Sequence, residues 1–208
     1  VTGLGVSASI VTGLTYGAIH GLIAEVETWK EQPGLEEMLN KMTFIIDKTI
    51  SRISDQSQRS MTGVFVGFDL KKGDGLITSA GHTWPYLVKE DECKLIRVTG
   101  KMMGFGVAEN NNPLPFRLEQ GETLFLYTDG LIENTGPSGE SIRPRKLQKL
   151  LEQGKDDPSM KAKILDHCQL IWQDHKPQDD CTFLVIKRTE PYASQASQPK
   201  HLTTKSVS

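Results

Sequence analysis

Apolar residues recur at helical spacing from Leu35 to Ile53, and after Ser60 the pattern changes to that of extended chain. In the first segment Leu35, Met38, Leu39, Met42, Ile45, Ile46, Thr49, Ile50 and Ile53 fall at i, i+3, i+4 and i+7, the signature of one buried helix face. Glu36, Lys41, Asp47 and Lys48 take the other face. Beyond it, residues 62–69 (TGVFVGFD) and 76–79 flank the turn-forming run 70–75, which predicts a hairpin. Residues 85–88 and 94–98 predict a second pair around Glu90-Asp91-Glu92, and 109–115 (ENNNPLP) reads as a loop.

Thr123–Tyr127 is a continuous apolar run, the pattern of a fully buried strand, and it ends in Thr128-Asp129-Gly130. Residues 144–153 and 158–172 predict short helices, the second with Asp157 as N-cap before Pro158. Residues 181–186 form the last predicted buried strand, directly after Pro177-Gln178-Asp179-Asp180. From 189 to 208 the chain is Ser, Gln, Thr and Lys with almost no core residues, which predicts a flexible tail behind a single domain over 1–188. Helices segregated from mainly antiparallel strands argue an α+β layered fold rather than a doubly wound one.

Residues 6–24 carry no Asp, Glu, Lys or Arg. A spanning helix needs about 20 predominantly apolar residues. The glycines at 13, 17 and 21 and the four Ser or Thr favour instead a buried soluble helix lying close against a neighbour. No Lys or Arg precedes it, which argues against a signal peptide. The chain opens at Val1-Thr2-Gly3-Leu4-Gly5 with no strand in front, so it is expected to be the C-terminal portion of a longer domain.

Charge narrows the partners. The 208 residues hold 24 Lys and Arg against 26 Asp and Glu, a net charge of −2, which gives no basic footprint for nucleic acid. Cys93, Cys168 and Cys181 are odd in number and widely spaced, so neither a disulfide framework nor a zinc ribbon is predicted, and a reducing, cytoplasmic setting follows.

Two acidic positions stand out. Asp129 follows one buried strand, and Asp179 and Asp180 precede another. Carboxylates at the ends of adjacent core strands converge at one rim of a sheet, where oxygen donors suit Mg²⁺ or Mn²⁺. Asp-Gly and Asp-Asp are also common turn formers, and fifty residues separate Asp129 from Asp179, so spacing leaves both readings open. His82 reads as a structural imidazole and His20 as a core residue. No HExxH, G-x-S-x-G or Walker pattern is present.

Residues 123–132 (TLFLYTDGLI) with Glu133-Asn134 resemble the LLLYTDGLTEA signature of the SpoIIE-type branch of the metal-dependent protein phosphatases, the PPM family. Asp179-Asp180-Cys181-Thr182 resembles that family's closing DDxT strand. Ala80-Gly81-His82 with Pro85 resembles its AGHxP segment, Met61-Thr62 its strand start, and 104–107 its LGV stretch. All five occur in the family's order. The resemblance implies a four-layer α-β-β-α sandwich, here lacking its first strands, and hydrolysis of phosphoserine or phosphothreonine on a protein such as an anti-sigma-factor antagonist. It implies two Mn²⁺ or Mg²⁺ ions activating a water for in-line attack on phosphorus. Asp129 and Asp179 match metal ligands, Asp180 stands beside them as the candidate catalytic side chain, and the carbonyl of Val1 matches a main-chain ligand.

The chain departs from the family at its start. The first metal motif reads Gly-Asp-Val-x-Gly-His-Gly, so its bridging Asp would precede Val1, and Leu4 stands where the motif has His. Two readings result. One is the phosphatase domain of a bacterial signalling protein, cytoplasmic or on the cytoplasmic side of a membrane-bound sensor, with an upstream sensor or receiver region and helix Leu35–Ile53 as a coupling or homodimer element. The other is a catalytically inactive phosphatase-like module that binds a partner.

Overall fold

The computed structural model describes residues 6–53, 59–107, 111–155 and 157–189. Helices α1 (Val6–Glu27) and α2 (Leu35–Ile53) are followed by strands β1 (Gly63–Phe68), β2 (Asp74–Ala80), β3 (Tyr86–Val88), β4 (Cys93–Leu95), β5 (Leu114–Arg117) and β6 (Thr123–Tyr127). A one-turn helix α3 (Gly130–Glu133), helices α4 (Pro144–Gly154) and α5 (Met160–Trp172), and strand β7 (Phe183–Lys187) complete the order. The strands form two antiparallel sheets, β1-β2-β5 and β4-β3-β6-β7.

Strand alternation builds four layers. Side chains of successive strand residues point to opposite faces, and here each face meets a different partner. Phe125 and Tyr127 of β6 join Tyr86 and Val88 of β3 in a core under α4 and α5, completed by Leu147, Leu151, Ile164 and Cys168. Leu124 and Leu126 point the other way, into a second core with Leu87, Val66, Phe116 and Ile186, which lies between the sheets. Phe65 and Ala80 pack outward from the first sheet on Val11 of α1 and Ile46 and Ile50 of α2. The arrangement is helix, sheet, sheet, helix, as expected.

Several local expectations shift. Both hairpins form, with Gly63 opposite Ala80 and Tyr86 opposite Leu95. The predicted loop over 109–115 gives way at Leu114 to strand β5, which contains Pro115; an edge position tolerates a residue without an N–H. Helix α5 starts at Met160 after Ser159, because the Asp157 carboxylate is engaged by the Ser159 N–H at 2.7 Å and its hydroxyl at 2.6 Å. The last strand starts at Phe183 rather than at Cys181.

Helix α1 is the larger correction. Val11, Thr15, Leu22 and Val26 are buried, but Val6, Ile10, Tyr16 and Ile23 are exposed. A Cβ added at Gly13, Gly17 or Gly21 would meet nothing within 4 Å, so these small residues bring no neighbour close among the described residues. Residues 8–27 are long and apolar enough to cross a membrane by length and composition. His20 is exposed, its ring 4.1 Å from that of Tyr16, rather than in a core.

Asp47 also departs from the helical pattern. Expected on the solvent face of α2, it is fully buried. Its Oδ1 accepts from the backbone N–H groups of Gly104, Phe105 and Gly106 at 2.7, 3.1 and 3.0 Å. Gly104 and Gly106 hold φ of 112° and 70°, which turns the three N–H groups inward as an anion nest.

Candidate metal centre

Strand β6 ends inside the molecule, and the buried end forces an immediate turn. The chain reverses at Thr128 and starts α3, with Asp129 as N-cap and its Oδ1 accepting from the Gly130 N–H at 3.0 Å. Asp129 is thus the turn former that Asp-Gly suggested, and its side chain is also exposed at the rim. The turn and ligand readings do not compete, because capping uses only one of the two carboxylate oxygens.

The segment that carries Asp179 and Asp180 lies directly against this turn. A Cβ at Gly130 would overlap the Asp180 carbonyl oxygen and come within 2.9 Å of its carbon, so only glycine permits the approach. The Thr128 hydroxyl donates to the Asp180 carbonyl at 3.1 Å and accepts from the Thr182 N–H at 2.9 Å, while the Thr128 N–H donates to the Thr182 carbonyl at 2.9 Å. Asn134, buried just after α3, donates through Nδ2 to the Asp179 carbonyl at 2.7 Å and accepts at Oδ1 from the Asp179 N–H at 2.8 Å. The Asp180 N–H in turn donates to Asp179 Oδ1 at 2.8 Å. Fifty residues apart in sequence, Asp129 and Asp179 stand on adjoining backbones, both exposed.

His82 joins the same rim. Its Nδ1 lies 3.2 Å from the Thr62 hydroxyl. Burial pushes its pKa below the ordinary 6.5, while the nearby Asp129 carboxylate and a hydrogen bond to the Tyr127 carbonyl oppose that shift. The neighbouring Thr83 hydroxyl donates to the same carbonyl. The AGH segment therefore supports the strand end from which Asp129 emerges.

Under the Asp179–Thr182 segment sits α5. The Trp172 indole N–H donates to the Asn134 carbonyl at 3.3 Å. Cys181, half-buried, packs on the core that contains Cys168 of α5.

Among the described residues, no group of three or more His, Cys, Asp or Glu could hold a metal ion. Asp129 and Asp179 supply carboxylate oxygens, the chemistry a hard dication takes. Two donors do not complete a site, and Val1, the third expected ligand, lies outside the described residues. Sequence reasoning named Asp129, Asp179 and Asp180 but gave no role to Thr128, Gly130 and Asn134. Those three lie inside the matched motifs, and only the fold shows that they bind the second acidic segment.

The chain aligns at 24% identity over 147 residues with the phosphoserine phosphatase RsbU of Bacillus subtilis, 68% of this chain and 44% of that protein. It thus spans less than half of that relative's length. Among solved structures, it superposes on the SiaA PP2C domain of Pseudomonas aeruginosa with a TM-score of 0.72 at 19% identity, covering 89% of this chain and 72% of that one. The catalytic domain of the serine/threonine protein phosphatase PstP, solved with two manganese ions, gives 0.59 at 14% identity over 89% of this chain and 84% of its own. These likenesses establish the PP2C-type sandwich. The family model for stage II sporulation protein E matches residues 1–189, and the chain belongs to that SpoIIE family of PPM-type proteins.

Proposed function

We propose that this chain is a metal-dependent protein serine/threonine phosphatase domain of a bacterial signalling protein. The observation that carries the reading is the apposition of Gly130 on the Asp180 backbone, which sets Asp129 and Asp179 at one rim. Membership of the SpoIIE family supports it. Asp129 and Asp179 would hold Mn²⁺ or Mg²⁺, two ions being expected, with Val1 as a further ligand. Bound there, the metal would acidify a water and neutralise charge on the phosphoryl oxygens.

The chain's own residues fix the donors in place. Capping by Gly130 orients the Asp129 carboxylate, and Asn134 clamps the Asp179 peptide on both sides. Preorganisation of this kind lets the ligands act without rearranging when the substrate arrives. Asp180, whose main chain is held by Thr128, is the candidate catalytic side chain facing the phosphoprotein. The substrate class is a phosphoserine or phosphothreonine protein, such as an anti-sigma-factor antagonist. Regulation would come through an upstream sensor or receiver region and α2, with homodimerisation as one route, in the cytoplasm.

A partner-binding module without hydrolysis is the second reading, favoured by Leu4 at the motif's histidine position and by the incomplete ligand set among the described residues. Hydrolysis of p-nitrophenyl phosphate and of a phosphoserine protein with Mn²⁺ separates the two. Activity lost in Asp129→Asn supports the enzyme. A folded chain that stays inert with Mn²⁺, including in any longer natural form, supports the binding module.

A further inference from the structure

The loop over 97–103 is pressed onto the end of β2. A Cβ on Gly100 would stand 1.8 Å from the Ser79 carbonyl oxygen, and Met102 lies over Gly81, its Cγ 2.5 Å from where a Cβ would be. The main chains of Met103 and Met61 exchange two hydrogen bonds of 2.9 Å. Opposite this loop, the segment that enters β5 is fixed by the Thr78 hydroxyl, which donates to the Asn111 carbonyl at 2.8 Å. Between the two walls opens a cleft of about 490 Å³, lined among others by Arg97, Thr99, Lys101, Asn111, Asn112 and Leu114. Its charge is of one sign: among the described residues no acidic side chain lines it, and neither Arg97 nor Lys101, both exposed, has an ion-pair partner. The Arg97 guanidinium stands 5.9 Å from the ring of Trp84, which is 39% exposed. Trp84 follows Thr83, whose hydroxyl donates to the carbonyl of Tyr127, two residues before Asp129. The cleft and the acidic rim are thus joined through the 82–84 segment.

We propose that this cleft binds an acidic stretch of the phosphoprotein substrate, its carboxylates on Arg97 and Lys101, and that these two residues select which phosphoserine is hydrolysed. The planar Arg97 fork takes a carboxylate through two parallel hydrogen bonds, while Lys101 acts as a point charge. The exposed indole of Trp84 and the half-exposed Leu114 give the apolar stems of a peptide a surface beside those charges. A nucleic-acid backbone is the poorer match, because two cations in a chain of net charge −2 make no basic stripe. Exposed ion pairs contribute little each in water and are screened by salt, so the selection is modest and depends on ionic strength. Its effect on hydrolysis rests on the phosphatase reading; the binding of an acidic peptide does not.

The test follows the backbone amides of the full chain by NMR as peptides are added at low salt: a serine between two runs of three glutamates, and its glutamine counterpart. Amides at 97–101 should shift with the glutamate peptide, whose Kd should be about fivefold lower than that of the glutamine peptide. Added salt at about 200 mM should remove most of that difference. In Arg97→Gln/Lys101→Gln the two peptides should bind alike. Arg97→Glu/Lys101→Glu should prefer a lysine counterpart to the glutamate peptide, a gain that a misfolded variant cannot show. With phosphoserine in place of serine and Mn²⁺ present, the glutamate peptide should have the lower KM in the parent and lose that advantage in both variants. Equal affinity of the parent for the glutamate and glutamine peptides overturns the proposal, as does a preference that survives both variants. Binding to phosphatidylserine vesicles through Arg97 and Lys101, without a preference between the peptides, assigns the cleft to a membrane surface and overturns it too. If the preference and its loss appear while neither phosphopeptide is hydrolysed, the phosphatase reading fails and this inference stands. If both phosphopeptides are hydrolysed with equal KM and no preference appears, the inference fails and the phosphatase reading stands.

Discussion

Asn134 and the main chain of Asp179 exchange two hydrogen bonds, 2.7 Å from Nδ2 to the carbonyl and 2.8 Å from the N–H to Oδ1. A side-chain amide is the one group that can mimic a strand neighbour in this way, offering donor and acceptor in a plane. It replaces a ladder bond at a point where the sheet has already ended.

Replacing Asn134 by Ala should cost about 1–3 kcal/mol by urea denaturation, since two hydrogen bonds vanish at a buried position. Asn134→Asp keeps an acceptor for the Asp179 N–H but sets a charge beside the Asp179 carbonyl, and should cost more. If Asn134→Asp unfolds at the same urea concentration as the parent, the Nδ2 bond contributes nothing.

Gly130→Ala tests the close approach of the two acidic segments. The new methyl would overlap the Asp180 carbonyl, so either α3 or the 179–180 backbone must move. The expected loss is roughly 1–3 kcal/mol by thermal unfolding. Phosphatase activity should fall further than that loss of stability accounts for at a temperature where the variant is fully folded.

The buried Asp47 carboxylate joins α2 to the loop over 104–106. Asp47→Ala leaves three inward-facing N–H groups without their acceptor and should destabilise by about 3 kcal/mol or more. Asp47→Asn retains an oxygen acceptor without the charge and should lose less. An Asp47→Asn variant that melts with the parent would show that the charge is immaterial to the nest, and one that melts with Asp47→Ala that a neutral oxygen does not serve it.

Acid sensitivity has one local source in the β1–β2 turn. The backbone N–H groups of Lys72 and Lys71 hold the exposed Asp69 carboxyl below its ordinary 3.8. A folded value below the unfolded one means that the stabilisation is complete above 3.8 and is lost as pH falls through the folded value. Asp69→Asn should therefore flatten the dependence of unfolding free energy on pH below about 4. A parallel curve for the variant would remove Asp69 from the account.

Periodicity reveals the layers because burial and period are coupled: Leu124 and Leu126 against Phe125 and Tyr127 is a two-residue alternation that no solvent-facing strand would carry. It misplaces Asp47 for the same reason, since a charge at a polar-face position reads as solvated and its three donors lie 57 to 59 residues away. Strand β5 escapes notice because Pro115 and the asparagines before it carry loop chemistry, and only its pairing with β2 makes it a strand. At the rim, Asp129, Asp179 and Asp180 are visible from their positions beside apolar runs. Asn134 is not, because an amide after a short turn carries no signal until the segment it clasps is folded beside it.

Arg188, immediately after β7, reaches across to the other sheet, donating to the carbonyls of Lys71, Lys72 and Leu118. Its guanidinium lies where a side chain on Gly73 would stand. A ribosome delivers this clasp after every other described element of the sandwich. Until β7 and Arg188 have left the exit tunnel, β6 lacks a neighbour along its Phe183–Lys187 edge, the sheets lack their tie, and Asp129 waits without Asp179. The rim is therefore assembled only after the other elements of the sandwich have been made, and a nascent chain stalled before residue 179 would present Asp129 without Asp179.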